Sequence, residues 1–491
     1  MKFLQGYLRI SDLFSRPVMA LAILSLPVTS LPLLSSLMGG TVVAPAAIIF
    51  VFALFVFWAP FRVLHKPLLP AEIKPLLVFV AVAVGSCALA FFLPIPPGKG
   101  NSVMRSELEG LVTLAIGLAV YLVFLLWNRD EAHLRLSFRL INWTGLAILA
   151  WSFAQLAVIL VGEGHYPGWM VKFQTIWSTR HLLEIGFRTR VTGFTYEPSW
   201  LANQLNLVFL PYWLAASITG FSALRKVLRI SIENILLAGG MVILFFSLSR
   251  IGLAAFLFTL IFIASRLNLK LLRWIQAGVQ QHPALAWSGK WAVIPVGLLM
   301  FLVYGGMIFG MVALMAQVDP RMARFFTLQD LPRNFFDFAA KVDFLERVIY
   351  WAGGLSVFAR FPILGVGLGN SGFFFSHLMP AVAQRSSEIL YIVNEPAYLA
   401  NVKSIWVRLL AETGLIGFSI FVVWQAVLWK AAKFLRRSES ALFRTIGWMG
   451  AFVILAFVAE GFSVDTFALP YIWVSAGILT AASFLARQVE S

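Results

Sequence analysis

Four groups of residues in this chain have the types and spacing for chemistry, and each turns on a fixed cation. The first is RTRVTGFTYEPSWLANQLN, residues 188–206. Arg188 and Arg190 lead it, Glu197 follows, and Ser199, Asn203 and Asn206 recur at i, i+4 and i+7, one stripe of a helix. Pro198 suits the first turn of that helix, where a backbone N–H would have no intrahelical partner anyway. The second is Arg250, in FSLSRIG between two apolar runs. The third is Arg347, followed downstream by Gly365, Gly367 and Gly369 in GVGLG. The fourth is Lys403, Trp406, Arg408 and Glu412, the last two at i, i+4. A guanidinium binds phosphate oxygens bidentately and keeps its charge. Arg and Lys set over apolar sequence therefore suit an amphiphile with an anionic head, such as a lipid-linked phosphate or diphosphate. Arg190, Arg347, Glu197 and Lys403 are the candidates to act on such a substrate. Arg188, Arg250, Arg408, Asn203, Glu395 and His181 are candidates to bind it. Glu197 and Glu395 are also candidate bases for a hydroxyl, with His181 behind them.

Each group has a plainer reading. The amides could be interhelical hydrogen bonds, Arg250 could reach lipid phosphate along its own stem, and Arg408 could simply pair with Glu412. GVGLG lacks the strand–turn–helix context of a dinucleotide loop. A close backbone turn is one reading of its glycines; N–H groups presented to an anion is another. No His/Cys cluster has metal-ligand spacing, the six histidines are scattered, and no D-x-D, phosphate-binding loop or G-x-S-x-G occurs. No metal and no cofactor is expected.

The elements that must hold these residues are membrane helices. Of 491 residues, 60% are hydrophobic and only 12% are charged, with a mean hydropathy of +0.86. That composition indicates an all-α polytopic membrane protein. The net charge of +16 reads as topology and lipid contact, not nucleic-acid binding. Cys87 is the single cysteine, so no internal disulfide can form. The basic N-terminus runs into an apolar stretch without a small-residue cleavage site, as an uncleaved first helix would.

At about 20 apolar residues per span, twelve candidates emerge: 17–38, 41–59, 74–94, 107–127, 139–162, 197–219, 231–248, 250–266, 291–314, 404–428, 444–460 and 464–486. Of the 38 basic residues, 22 fall on alternate short loops, which puts both termini in the cytoplasm. Loops 163–196 and 315–403 then lie on the far side. The chain divides into spans one to nine (1–314), a large loop with short amphipathic helices (315–403), and three final spans (404–491). Structureless loops beyond about 12–15 residues usually carry function or are disordered. The aromatic content of 315–403 argues against disorder.

The sequence resembles the bacterial O-antigen polymerase and ligase superfamily over residues 188–417. Four features carry this. They are R-x-x-G-x-x-x-x-P (Arg190, Gly193, Pro198), SRIG (Ser249–Gly252), an Arg–W–PxLGxGxGN segment (Arg347, Trp351, Pro362–Asn370) and LLAETGLIG (Leu409–Gly417). The resemblance implies about twelve spans with a large periplasmic loop, a GT-C-like architecture. It implies residence in the bacterial inner membrane and metal-free glycan transfer from undecaprenyl diphosphate, with Arg190 and Arg347 holding the diphosphate. Its implied partners are a lipid-linked glycan donor and acceptor, membrane lipid and a chain-length regulator, and no nucleic acid. Ligases of this group commonly carry HN-x-Y-L starting nine residues before the Glu of E-x-G-L-x-G; here Lys403 stands at the His position. EPSW is more like the polymerase branch. The reading is therefore polymerisation of O-antigen, capsule or exopolysaccharide repeats. Ligation onto lipid A core is the alternative, and lipid-linked glycan transport the rival without chemistry. Transporters often show inverted repeats, and none is visible here.

The topology is testable. In a chain lacking Cys87, a cysteine at Ser438 should resist an impermeant thiol reagent applied to intact cells; ready labelling there would invert the assignment.

Overall fold

The computed structural model describes residues 2–65, 70–97, 100–183, 188–224, 230–280, 293–324, 326, 334–394 and 399–490. The chain is an all-α polytopic membrane protein. Among the described residues there is no strand, only isolated bridges from Ser30 to Ala44 and to Ser178. The principal helices are α1 (Lys2–Leu24), α2 (Ala47–Phe57), α3 (Lys74–Ala90), α4 (Val103–Trp127), α5 (Glu131–Val161) and α6 (Gly168–Trp177). Next comes α7, in three contiguous pieces (Pro198–Gln204, Leu205–Phe209, Leu210–Thr219). Then follow α8 (Ile232–Phe246), α9 (Arg250–Gln280), α10 (Val293–Val318), α11 (Leu345–Arg360), α12 (Ile405–Leu435), α13 (Ala441–Glu460) and α14 (Tyr471–Glu490). Among the described residues, eight helices are long and apolar enough to cross a membrane, and three shorter apolar helices lie at 13–24, 47–57 and 232–246. Together with α7, each overlaps one of the twelve expected positions. Side-chain caps set several starts: Ser102 accepts from Arg105 N, Asp130 from His133 N, and Ser404 from Val407 N.

Two expected spans differ. The first, 17–38, ends as a helix at Leu24. Pro27 and Pro32 cannot donate to a helix, and Gly39 and Gly40 take positive φ. Residues 25–46 fold back on themselves, interrupted by the short helix Pro32–Leu37, with Leu31 N bonding Ala44 O at 2.9 Å and Ala46 N bonding Val28 O at 3.0 Å. The last span begins at Tyr471 rather than at 464, because 461–470 is irregular and carries polar contacts.

Two compact units make up the chain. The first comprises Met1–Leu253 and Ile349–Ser491; the second is Ala254–Val348. The second unit contains most of α9, all of α10, and the start of α11. Within it Asp319 caps a short helix and pairs with Arg321 at 2.7 Å, and Arg324 pairs with Asp343 at 2.5 Å. In the first unit, α12 packs on α3, α13 and α14, while α7 packs on α8 and α13. Trp424 of α12 and Trp473 of α14 stack at 5.4 Å between centroids. Two buried carboxylates brace the side opposite loop 163–196. Glu233 accepts from Asn142, Tyr212, Ser222 and the Ala223 N–H. Glu72 holds Ser483 and Arg487 of the last helix.

The glycine-rich stretch Pro362–Asn370 is the wedge of this unit. α12 is broken at Gly414, whose φ of 63° and ψ of −167° belong to a region essentially reserved for glycine. The break turns backbone groups toward the wedge. Leu415 N bonds Pro362 O at 2.8 Å, Val366 N bonds Ala411 O at 3.1 Å and Gly367 N bonds Glu412 O at 3.0 Å. From α3, Ser86 Oγ donates to Glu412 O and Cys87 Sγ accepts from Leu368 N. From α4, Ser106 Oγ donates to Gly369 O and Glu107 accepts from Asn370 Nδ2 at 2.8 Å. A Cβ on Gly365 or Gly369 would collide with the backbone of Glu412 or Ser106. The glycines make a close-packed turn, and the N–H groups of Val366, Gly367 and Leu368 bond protein acceptors rather than facing an anion.

Gly414→Ala should therefore damage the fold. A Cβ there would run into the Ile363 carbonyl, and the backbone conformation alone costs about 1–3 kcal/mol for another residue. The thermal midpoint in detergent should drop well below that of Gly310→Ala, a site with open space around it; equal midpoints would contradict the wedge.

Candidate functional site

The side of the first unit that carries residues 163–196 gathers most of the sequence candidates. Gln155 of α5 shapes the RTRVTG turn: its Oε1 accepts from Thr192 N and Gly193 N, and its Nε2 donates to Gly193 O. Gly193 has a φ of 59° and supplies the bend. Arg190 then reaches the end of α8. Its Nε donates to Ser247 O at 3.0 Å and its Nη2 to Leu248 O at 3.2 Å. Leu248 is left-handed, with φ 50°, so Arg190 closes the turn that leads into Arg250, the half-buried first residue of α9. Arg188 is half-buried, and its Nε has no hydrogen-bond partner among the described residues.

Glu197 immediately precedes α7, makes no side-chain cap bond to it, and keeps 30% of its side chain exposed. Ser199 Oγ donates to its Oε1 at 2.5 Å, and Arg180 Nη1 lies 3.9 Å from its Oε2. Arg180 also donates to Tyr196 OH at 3.0 Å and lies 4.1 Å from that ring's centroid. Irregular chain from the α1–α2 connection supports this corner, since Thr29 Oγ1 accepts from Tyr196 N and Ser30 bonds Thr179. His181 is exposed next to Arg180.

Deeper along α7, Asn203 and Asn206 are buried, and both donate to Glu460 at the end of α13, at 3.1 and 2.7 Å. Asn206 Nδ2 also donates to Gly252 O at 2.8 Å. Beyond Glu460, the Gly461 carbonyl accepts from Ile405 N at 2.8 Å and Ser404 Oγ at 3.0 Å. Asp465 Oδ2 accepts from Lys403 N at 3.1 Å, and the Asp465 carbonyl accepts from Arg408 Nη1. Arg408 Nε donates to Glu412 at 2.8 Å, and Ser371 Oγ donates to the other oxygen of Glu412. Lys403 has a φ of 55°, and its Nζ lies 5.9 Å from the Tyr350 ring centroid. A left-handed residue other than glycine is uncommon and is held here by the Asp465 bond. Beneath these groups is a small recess of about 20 Å³, walled by Asn203, Thr466, Phe421, Phe457 and Trp473 among others.

The first unit thus joins Glu197, Asn203, Arg190, Arg250, Lys403 and Arg408 through short chains of contact. Arg347 sits half-buried in α11, in the second unit, three and four residues ahead of Tyr350 and Trp351. Glu395 lies outside the described residues. The sequence reading missed Arg180, Glu460 and Asp465. Glu460 and Asp465 carry one usable signal, acids at the edge of an apolar span. Arg180 has none beyond its place in loop 163–196. Among the described residues no three of His, Cys, Asp or Glu gather closely enough to hold a metal ion.

Residues 235–422 match the family model described as O-antigen ligase. That range takes in Arg250, Arg347, the glycine wedge, Lys403, Arg408 and Glu412, and leaves out Arg190, Glu197 and Glu460. No curated protein matches the chain.

The Arg408–Glu412 pair is buried, with side-chain exposures of 12% and 3%. Removing one member of such a pair costs about 3–5 kcal/mol, because the other is left uncompensated. Arg408→Met should accordingly lower the thermal midpoint sharply. Glu109→Gln, which breaks the exposed Arg105–Glu109 pair, should change stability by under about 1 kcal/mol. Comparable effects from the two substitutions would remove Arg408 from its structural role.

Proposed function

We propose that the chain polymerises lipid-linked oligosaccharide repeat units into O-antigen, capsule or exopolysaccharide, a reading supported by the match of residues 235–422 to the O-antigen ligase family model. The observation that carries this reading is the grouping of Arg190, Arg250 and Lys403 at one end of the first unit, beside the part-exposed carboxylate of Glu197. Fixed cations suit an undecaprenyl-diphosphate head, and the apolar helices below suit its tail. The reaction faces the periplasm, from the inner membrane.

In the proposed step, a hydroxyl of the acceptor glycan attacks the anomeric carbon of the donor. The new C–O bond forms as the bond to the diphosphate breaks, and the configuration inverts. Undecaprenyl diphosphate departs with the bonding pair, and Glu197 takes the hydroxyl proton. The cations stabilise charge as it develops on the leaving group, and positioning supplies much of the remainder. No metal is required in this scheme. Arg190 already holds the Ser247–Leu248 turn, so its charge serves both the turn and the head group. The resemblance also gives the diphosphate to Arg347, and that assignment rests on the sequence motif. The description of the matched family favours ligation onto lipid A core as the second reading; Lys403 in the place of the ligase His argues against it.

Purified protein given lipid-linked donor and acceptor in detergent should elongate the glycan without sealed vesicles, with or without EDTA. A requirement for vesicles would indicate transport, and loss of activity with EDTA restored by Mg²⁺ would overturn the metal-free scheme. Arg347→Ala should insert normally and lose about 10²–10³ in rate. Arg347→Lys should recover part of it, because the point charge remains and the fork does not. Elongation within about threefold of wild type for Arg347→Ala, against that expected loss, would remove Arg347 from the leaving-group role.

A further inference from the structure

Glu460 is 1% exposed at the end of an apolar helix. An ionisable group in such a place is costly and marks function by default. Its carboxylate does more than satisfy itself. Oε2 accepts from Asn203 and Oε1 from Asn206, both on α7, the helix that Glu197 immediately precedes. Asn206 Nδ2 also holds the Gly252 carbonyl, two residues from Arg250. The next residue, Gly461, caps α12 through Ser404 and Ile405, next to Lys403 and one turn from Arg408. The π-helical piece of α7, Leu205–Phe209, includes Asn206, and such wide turns inside helices are frequent at functional sites.

We propose that Glu460 is a positioning residue: it ties the segments bearing Glu197, Arg250 and Lys403 into one geometry, through a carboxylate that accepts from two amides. Its effect on turnover rests on the glycosyl-transfer reading; the tie itself does not. Gly252 O and a carboxylate accept, so Asn206 presents its Nδ2 to both, and Asn203 presents its Nδ2 to Glu460. A Gln at 460 can still accept from Asn206 through its oxygen, and its own NH₂ can meet Asn203 once that amide turns over to present its Oδ1. Glu460→Gln therefore keeps both ties with almost no change in volume, whereas Glu460→Met fills much the same space and removes both.

The test compares wild type, Glu460→Met and Glu460→Gln as full chains purified in detergent. A misplacement of about 1 Å can cost about a hundredfold in rate. Glu460→Met should therefore lower kcat by about tenfold or more, with KM for the lipid-linked donor little changed. Glu460→Gln should keep most of the wild-type kcat. A cysteine at Thr466, which lines the recess beside Asn203, reports the geometry without any turnover, in chains lacking Cys87. Maleimide should label it faster in Glu460→Met and at the wild-type rate in Glu460→Gln. The inference fails if Glu460→Met keeps wild-type kcat. It fails if Glu460→Gln is no better than Glu460→Met. It also fails if Glu460→Met merely inserts less protein, with kcat per folded molecule unchanged. If wild type itself does not elongate glycan, the functional reading falls, and the labelling rates alone decide whether Glu460 makes the tie.

Discussion

The break in α12 at Gly414 is the constraint on which much of the first unit depends. A helix interrupted inside an apolar bundle leaves N–H and C=O groups with no water to receive them, and each orphan would cost several kcal/mol. Here Pro362–Asn370 meets those groups with its own backbone. That match requires chain to approach chain at Gly365 and Gly414, where no Cβ fits. It draws in Ser86 and Cys87 of α3 and Ser106 and Glu107 of α4 as side-chain partners. A stretch whose glycines read equally as a close turn or an anion-facing loop is thus the closely packed turn.

The same economy governs the charges. Arg408 is neutralised by Glu412 and bonded to the Asp465 carbonyl. Arg190 donates to two carbonyls at a helix end that would otherwise be open. Arg190 can be structural and still set the local field, since a guanidinium keeps its charge whatever it bonds, whereas the charge of Arg408 is balanced by Glu412. The groups that retain more access, Glu197 with Arg180 and the strained Lys403, sit at the margin of this framework. A rigid scaffold that presents a few accessible polar groups is the arrangement that positional catalysis requires.

Segment 460–465 shows how irregular chain can organise a membrane protein. Read by hydropathy, it is a short turn between two spans. In the structure it lies between α7 and α12 and offers each the acceptors it lacks: Glu460 to the amides of α7, and Gly461 and Asp465 to the start of α12. Its irregularity moves the start of the last helix to Tyr471.

Hydropathy and charge order, read from the sequence alone, determined the all-α membrane class and the approximate places of the helices, and four short motifs carried the superfamily resemblance. The class and the helix places follow from local composition, because a lipid-facing helix must be apolar along its length. Sequence also marked Arg190, Glu197, Lys403 and Arg408 as unusual. Only the tertiary structure decided what each one touches. It placed Asn203 on Glu460, 257 residues away, and turned GVGLG from a candidate anion loop into a wedge. It also ended the first helix at Leu24, short of the apolar run that surrounds it. The reason is physical: composition states that a buried polar group needs a partner, and the partner is chosen by packing between segments far apart in the chain.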